Sequence, residues 1–429
     1  MSDNLTEQLH EQIATIPAID THEHLPDEPE RIGKPVDFAT LFGHYCEGDL
    51  RAAGDDVCSQ LQDPALSVEG KWSLFAPGYD RIADGSYARC VHLGMQRFYG
   101  FDRLRSLEDA LELTRRMREA NKPGLYRRVL KDACGIVTSL NLHGRNPEFF
   151  TPVTGTSWAM DLATVTGIES IQRVEKRVKR PLTSLSRYVQ AVTDQVTRQH
   201  ANGFVGLKFW TAYLRDLSFA SVSTADAEAV FNRAIDQSQG WRPSALGYDQ
   251  TRPLQDYLVH RMVEVAGDLG MTVIFHTGIQ AGNLNRLDNA RPGALWNLLR
   301  RYHNVRFVLL HAGLPWIDET GLMAKYFRNV YVDLAWVHSI SPELARRAIR
   351  SYVDLLPRNK VLGFGADCRI VEEVYGHLVQ ARQDIAVALA DKVREGALDQ
   401  QRALLWAKSM LHDNAIEAFK LNIKPLQSV

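Results

Sequence analysis

Short apolar runs recur along the chain, spaced by stretches of helical periodicity. The runs are IPAIDTH (16–22), ACGIVTSL (133–140), EFFTPVTG (148–155), GFVGLKFW (203–210), TVIFHTG (272–278), VRFVLLHAG (305–313), NVYVDLAW (329–336) and KVLGFGADC (360–368). Runs of Val, Ile, Leu and Phe without polar alternation are the mark of strands buried on both faces, as in parallel sheets. Helical patterns follow most of them: 181–202 precedes the fourth run, PLQDYLVHRMVEVAGDLG ends at a glycine suited to a helix C-terminus, and 292–302, 318–328, 342–356 and 371–422 follow. Eight strands alternating with helices predict a (β/α)8 TIM barrel. A doubly wound open sheet is the other arrangement of such units, but no Gly-x-Gly-x-x-Gly follows an early strand.

Two stretches break the rhythm. Residues 26–130 show helical segments and turns without a strand, and 211–252 reads as irregular. The expected organisation is therefore a barrel built from residues 1–25 and 131–429, with C-terminal helices, and a helical insertion over 26–130 covering its mouth. Within that insertion Tyr79, Tyr87 and Arg89 are candidates to reach inward, although aromatic residues there also serve packing.

The polar residues fall at the ends of the runs. His22 and His24 close the first, two apart, so that in an extended strand they share a face. Lys208 closes the fourth run, His276 the fifth and His311 the sixth. Asp333 sits in the seventh and Asp367 closes the eighth. Barrel active sites gather at the C-terminal ends of the strands. A buried charge there needs a partner, and a shared metal provides one. Each residue also has an ordinary role open to it: a core or capping histidine, a helix-capping Asp367, a hydrogen-bonding Asp333, a snorkelling Lys208. Four histidines and an aspartate at four strand ends are jointly explained by a metal site, since imidazole and carboxylate suit zinc and other borderline divalent ions.

Bulk properties narrow the class. The 429 residues carry 50 basic and 51 acidic side chains, which gives no electrostatic case for nucleic acid. The polar start MSDNLTEQLHEQ lacks a signal-peptide core, and no apolar run of about 18 residues suggests a membrane span. The five cysteines, Cys46, Cys58, Cys90, Cys134 and Cys368, are odd in number and widely spaced, which points to a reducing, cytoplasmic setting. Cys368 beside Asp367 reads more simply as a small buried hydrophobe than as a reactive thiol.

With DTHEHL, IFHTG, LLHAG and GFGAD in this order, the chain resembles the amidohydrolase superfamily, in particular the branch called amidohydrolase-2, and is distantly similar to uronate isomerase. The resemblance covers about residues 15–25 and 200–420; the 26–130 stretch carries no family motif. It implies a divalent metal, zinc by default, at the C-terminal mouth of the barrel. By the same resemblance His22, His24 and His276 are ligands, Asp367 is a fourth ligand or a general base, and His311 ligates a second metal or polarises the substrate. Lys208 holds the position of a carboxylated, metal-bridging lysine in binuclear members, so one metal is expected and two are left open.

These parts suggest a metal-dependent hydrolase that directs an activated water at a C–N or C–O bond of a small polar substrate. Asp367 would handle the proton, and His311 or Lys208 would stabilise the oxyanion. Trp210, Tyr213 and Arg215 follow the fourth strand in a loop expected to overhang the mouth. Arg215 or Arg369 is expected to bind a substrate carboxylate, and Trp336 and His338 to line the mouth. Competing functions are a non-oxidative decarboxylase, a uronate-type aldose/ketose isomerase, and a catalytically silent barrel used as a binding module. The partner is a small molecule in the first three readings, and a homo-oligomer is left open.

Overall fold

A computed structural model of the chain describes residues 2–154, 165, 167–236 and 246–426. The first strand, β1, spans Ala18–Glu23, followed by β2 (Ile136–Asn141), β3 (Phe150–Pro152), β4 (Gly206–Phe209), β5 (Thr272–Phe275), β6 (Phe307–Leu309), β7 (Val330–Asp333) and β8 (Val361–Leu362). All eight coincide with the apolar runs. Every pairing is parallel, in the orders β1-β2-β3 and β4-β5-β6-β7-β8. Two seams join these ladders into a ring. Thr154 bridges to Leu207, and across the other seam Thr21 N donates to Phe364 O (3.0 Å) and Asp367 N to His22 O (2.9 Å). The third run, interrupted by Pro152, forms a short strand because proline supplies no ladder donor.

Alternation along the strands sorts side chains between two apolar clusters. Val273, Phe275, Phe307, Leu309, Val330, Val332 and Val361 belong to the large cluster shared with the surrounding helices. Their neighbours Ile274, Val308, Tyr331 and Leu362 join Ile19, Leu140 and the C-terminal Ala415, Ala418 and Phe419 in a separate cluster. That second cluster is the filling of the barrel, plugged by the helix Asn414–Phe419. Lys208 stands between Leu207 and Phe209 of the outer cluster, so the pleat directs it inward.

Between β1 and β2 the chain runs through helices from Glu28–Ile32 to Leu107–Ala120. They enclose their own cluster around Phe38, Phe42, Phe75, Tyr79 and Met95. A buried network fastens them to the helix Val371–Arg394: Arg31 pairs with Glu372 at 3.0 Å and Tyr99 donates to the same carboxylate at 2.7 Å. The stretch 211–252, expected to be irregular, contains the helix Thr224–Asp236 and the start of another, Tyr248–Asp268. Ala227, Val230, Phe231 and Ala234 are buried at helical spacing; polar residues around them masked the period in sequence. Part of that stretch, 237–245, and part of the third run lie outside the described residues. Among the described residues no helix is long and apolar enough to cross a membrane.

Candidate metal centre

The site begins with the two acids of DTHEH. Asp20 Oδ1 accepts from His22 N (3.2 Å) and from Ala366 N (3.1 Å). Glu23 Oε1 accepts from His24 N (2.8 Å) and Cys368 N (2.5 Å). Each carboxyl thus clamps β1 to the chain beyond β8, which brings both histidines beside Asp367. Burial pushes Asp20 up to about 7 and raises Glu23 well above the carboxylate range. The sequence reading passed over both acids, although the repeated acid-before-histidine pattern was their signal.

His24 Nε2 lies 3.2 Å and His22 Nε2 3.6 Å from Asp367 Oδ1. One ligand atom from each of these three residues falls within 4.8 Å of the others. Burial, with Lys208 as the next contributor, holds His22 well below the ordinary imidazole value, so its lone pair is available. For Asp367 burial works upward, but the imidazoles around it prevail and keep the carboxyl ionised, well below its usual range. Two imidazole nitrogens and a carboxylate oxygen converging out of bulk water fit a borderline divalent cation. Lys208 Nζ approaches His22 Nε2 to 3.4 Å, and burial lowers its amine to about 7. An amine that sheds its proton near neutrality tolerates a neighbouring cation.

His276, expected as the third ligand, stands outside this group of three. Its Nε2 meets the Ile279 carbonyl at 2.9 Å, so that nitrogen carries the proton. His311 Nδ1 likewise donates to Ala335 O at 2.9 Å. The remaining nitrogens, His276 Nδ1 and His311 Nε2, face each other at 3.2 Å. His311 Nε2 is also 3.8 Å from Asp367 Oδ2. The glycines that follow these histidines have a steric reason. Gly278 (φ +72°) and Gly313 (φ +62°) sit in turns where a Cβ would come within 2.4 Å of Leu314 backbone and 2.1 Å of Thr320 Oγ1. Left-handed backbone also occurs at the non-glycine residues His311, Trp336 and Asp367 after β6, β7 and β8, and at His44. Each costs about 1–3 kcal/mol, and such strain gathers at functional sites.

A cavity of about 210 Å³ opens onto the cluster, lined by Lys208, Trp210, Tyr213, His276, Trp336 and Arg369 together with the three candidate ligands, His44, Tyr45 and Ala281. Trp210, Tyr213, Trp336 and Arg369, proposed from the sequence to meet the substrate, thus line this cavity. Arg215 does not. It is buried in an ion pair with Asp256 (2.7 Å) and donates to Gln255 and to the Ser218 carbonyl. His338 is likewise turned inward, between Asp384 (3.1 Å) and Gly363 O (3.0 Å). Asp333 is buried with Oδ1 accepting from Ala335 N, the structural role left open for it. Tyr79 bonds His92 within the helical cluster, whereas Tyr87 lines the outer mouth. Cys368 is buried, and burial raises its thiol well above the ordinary value, which disfavours the thiolate and agrees with a small buried hydrophobe.

The sequence reading missed three neighbours. His143, past β2, meets His24 Nδ1 at 3.3 Å; its signal was LNLHG, a strand end closed by His and Gly, close to the His-x-Gly of the later motifs. His44 and Tyr45 come from the helices after β1. Tyr45 stacks on Trp336 (centroids 4.6 Å apart) and donates to the Asp367 carbonyl at 2.6 Å. No local pattern marked these two.

The sequence profile of the amidohydrolase family matches residues 166–421. The chain belongs to the amidohydrolase family. Among solved structures, glucuronate isomerase from Caulobacter crescentus superposes with a TM-score of 0.79 at 17% identity over 100% of this chain and 97% of that one. Uronate isomerase from Thermotoga maritima gives 0.73 at 16% over 97% of each. A metal-dependent hydrolase candidate from Lactobacillus casei gives 0.65 at 19%, over 96% of this chain and 97% of that one. At these identities the likeness is one of fold, the TIM barrel. Protein fluG of Emericella nidulans is 26% identical over 252 residues, 56% of this amidohydrolase chain and 28% of that protein. The chain thus spans little more than a quarter of that relative's length.

Proposed function

We propose that the chain is a metal-dependent hydrolase of a small, polar, carboxylated substrate, with one zinc held by His22, His24 and Asp367. The observation that carries this reading is the convergence of those three ligand atoms within 4.8 Å, at the floor of a cavity that also presents Lys208 and Arg369. A divalent metal held there would supply Lewis acidity, acidifying a water toward about 7 and polarising the carbonyl. Asp367 takes the proton of the attacking water and returns it to the leaving nitrogen or oxygen. His311 and Lys208 stabilise the developing oxyanion. Arg369 holds the substrate carboxylate, and Trp210, Tyr213 and Trp336 form the walls. His276 serves through His311: the facing lone pairs need a shared proton or a second cation, which keeps a two-metal form in view. The helices of residues 26–130 close the mouth through His44 and Tyr45. Five buried free cysteines suit a reducing, cytoplasmic setting.

A second reading has one specific support, the match to uronate and glucuronate isomerases over nearly the whole chain, helical stretch included. There Asp367 and His311 would carry a proton between adjacent carbons of a uronate. A single assay separates the two. The zinc-loaded protein is screened on N-acyl amino acids, lactones and uronates, with product acid, amine and ketose measured. Acid or amine release is expected, and Asp367→Asn should lower kcat by about 100-fold to 10,000-fold. Ketose from a uronate with no hydrolysis transfers the assignment to the isomerase. Full turnover by Asp367→Asn overturns both.

A further inference from the structure

Outside the metal centre the cavity widens into a vestibule of about 720 Å³ that shares His44, Tyr45, Ala281, Trp336 and Arg369 with it. Its ionised side chains are Glu47, Asp49, Arg51 and Arg369. Glu47 is spoken for: it pairs with Arg51 (3.6 Å) and accepts from Gln62 Nε2 (3.1 Å). Arg51 also pairs with Asp56 at 3.3 Å. What remains is one anion and one cation. Neither the Asp49 carboxylate nor the Arg369 guanidinium has a hydrogen-bond or ion-pair partner among the described residues. They do not pair with each other either, so they stand apart by more than an ion pair's reach. Asp49 belongs to the helix Tyr45–Ala52 and is half-buried there, whereas Arg369 adjoins Asp367 at the metal.

A half-buried carboxylate left without a donor is costly unless a ligand supplies one. Opposite charges that line one cavity without quenching each other are two anchor points. We infer that the vestibule selects a dipolar substrate, whose carboxylate meets Arg369 near the reacting bond and whose ammonium group meets Asp49 farther out. This rests on the reading of Arg369 as the carboxylate anchor. It narrows the substrate class to amino-acid derivatives carrying both charges, and disfavours simple carboxylic acids and sugar acids.

Binding of non-reacting probes tests it without turnover. Calorimetry on the zinc-loaded protein compares β-alanine, aminobutyrate and aminohexanoate with alkanoates of equal length and with gluconate. At the length that spans the two anchors, the amino acid should bind about tenfold tighter than its alkanoate, the worth of one charge-assisted hydrogen bond. Asp49→Asn should collapse that ratio towards one, and Arg369→Gln should weaken both members of the pair. Equal affinity of amino acids and alkanoates at every length overturns the inference, as does gluconate matching the best amino acid. An ammonium preference in a protein that hydrolyses nothing on the panel leaves the inference standing and removes the hydrolase reading instead.

Discussion

Arg215 shows how little a residue's type says about its direction. An arginine two residues past Tyr213 reads as a carboxylate clamp, yet its guanidinium is buried against Asp256 at 2.7 Å. Removing one member of a buried pair strands the other charge. Arg215→Met should therefore lower unfolding stability by about 3–5 kcal/mol while KM stays as it is, a result read from denaturant melts beside kinetics. A raised KM with unchanged stability would return Arg215 to the site. His276 makes the same point more finely. Its position after β5 was legible, but not that Nε2 would bond the Ile279 carbonyl and leave Nδ1 to face His311. Hydrogen-bond choices of this kind depend on backbone several residues away, in turns whose shape no local pattern records.

Among the elements, the barrel strands were the most legible, because a strand buried on both faces must be apolar throughout and its polar end then stands out. The helices after β1 were legible as helices but not in what they contribute. His44 and Tyr45 line the candidate metal centre from a segment that Arg31, Tyr99 and Glu372 help to fasten to the Val371–Arg394 helix. His92 offers a probe of the segment's stability. Burial, aided by Arg103 and opposed by Asp102 and Asp84, lowers it to about 4 from 6.5. The unfolded chain therefore takes up the proton first on acidification, and stability falls as pH drops from about 6.5 to about 4. Allowing for partial exposure, the loss is about 1–2 kcal/mol. In His92→Gln, which keeps a partner for Tyr79 OH, that part of the slope should vanish from melts taken across the window; an unaltered slope would show that His92 is not its source.

For the molecule as a whole, the metal is expected to be a structural cross-link as well as a cofactor. His22, His24 and Asp367 come from the two ends of the barrel sequence, so a cation among them closes the β1–β8 seam. A ligand present at a thousandfold excess over its Kd stabilises the folded state by about 4 kcal/mol. Chelation should lower the Tm of the purified zinc protein accordingly, and the double change His22→Ala, His24→Ala should be insensitive to chelator. A metal-bearing wild type whose Tm ignores chelation would place the ion elsewhere.

The order of strands, the barrel they form, and the histidines and aspartate at their ends were set by the amino-acid sequence, because burial on both faces and termination at the rim are local demands that each run meets alone. Which of those residues share a point in space was decided by the closed ring. Asp20 and Glu23 hold β1 against the chain beyond β8, which makes His22, His24 and Asp367 neighbours, and the turn after β5 sets His276 Nδ1 against His311. Distances between strand ends depend on closure and on loop hydrogen bonds hundreds of residues apart, and no stretch of sequence contains both partners.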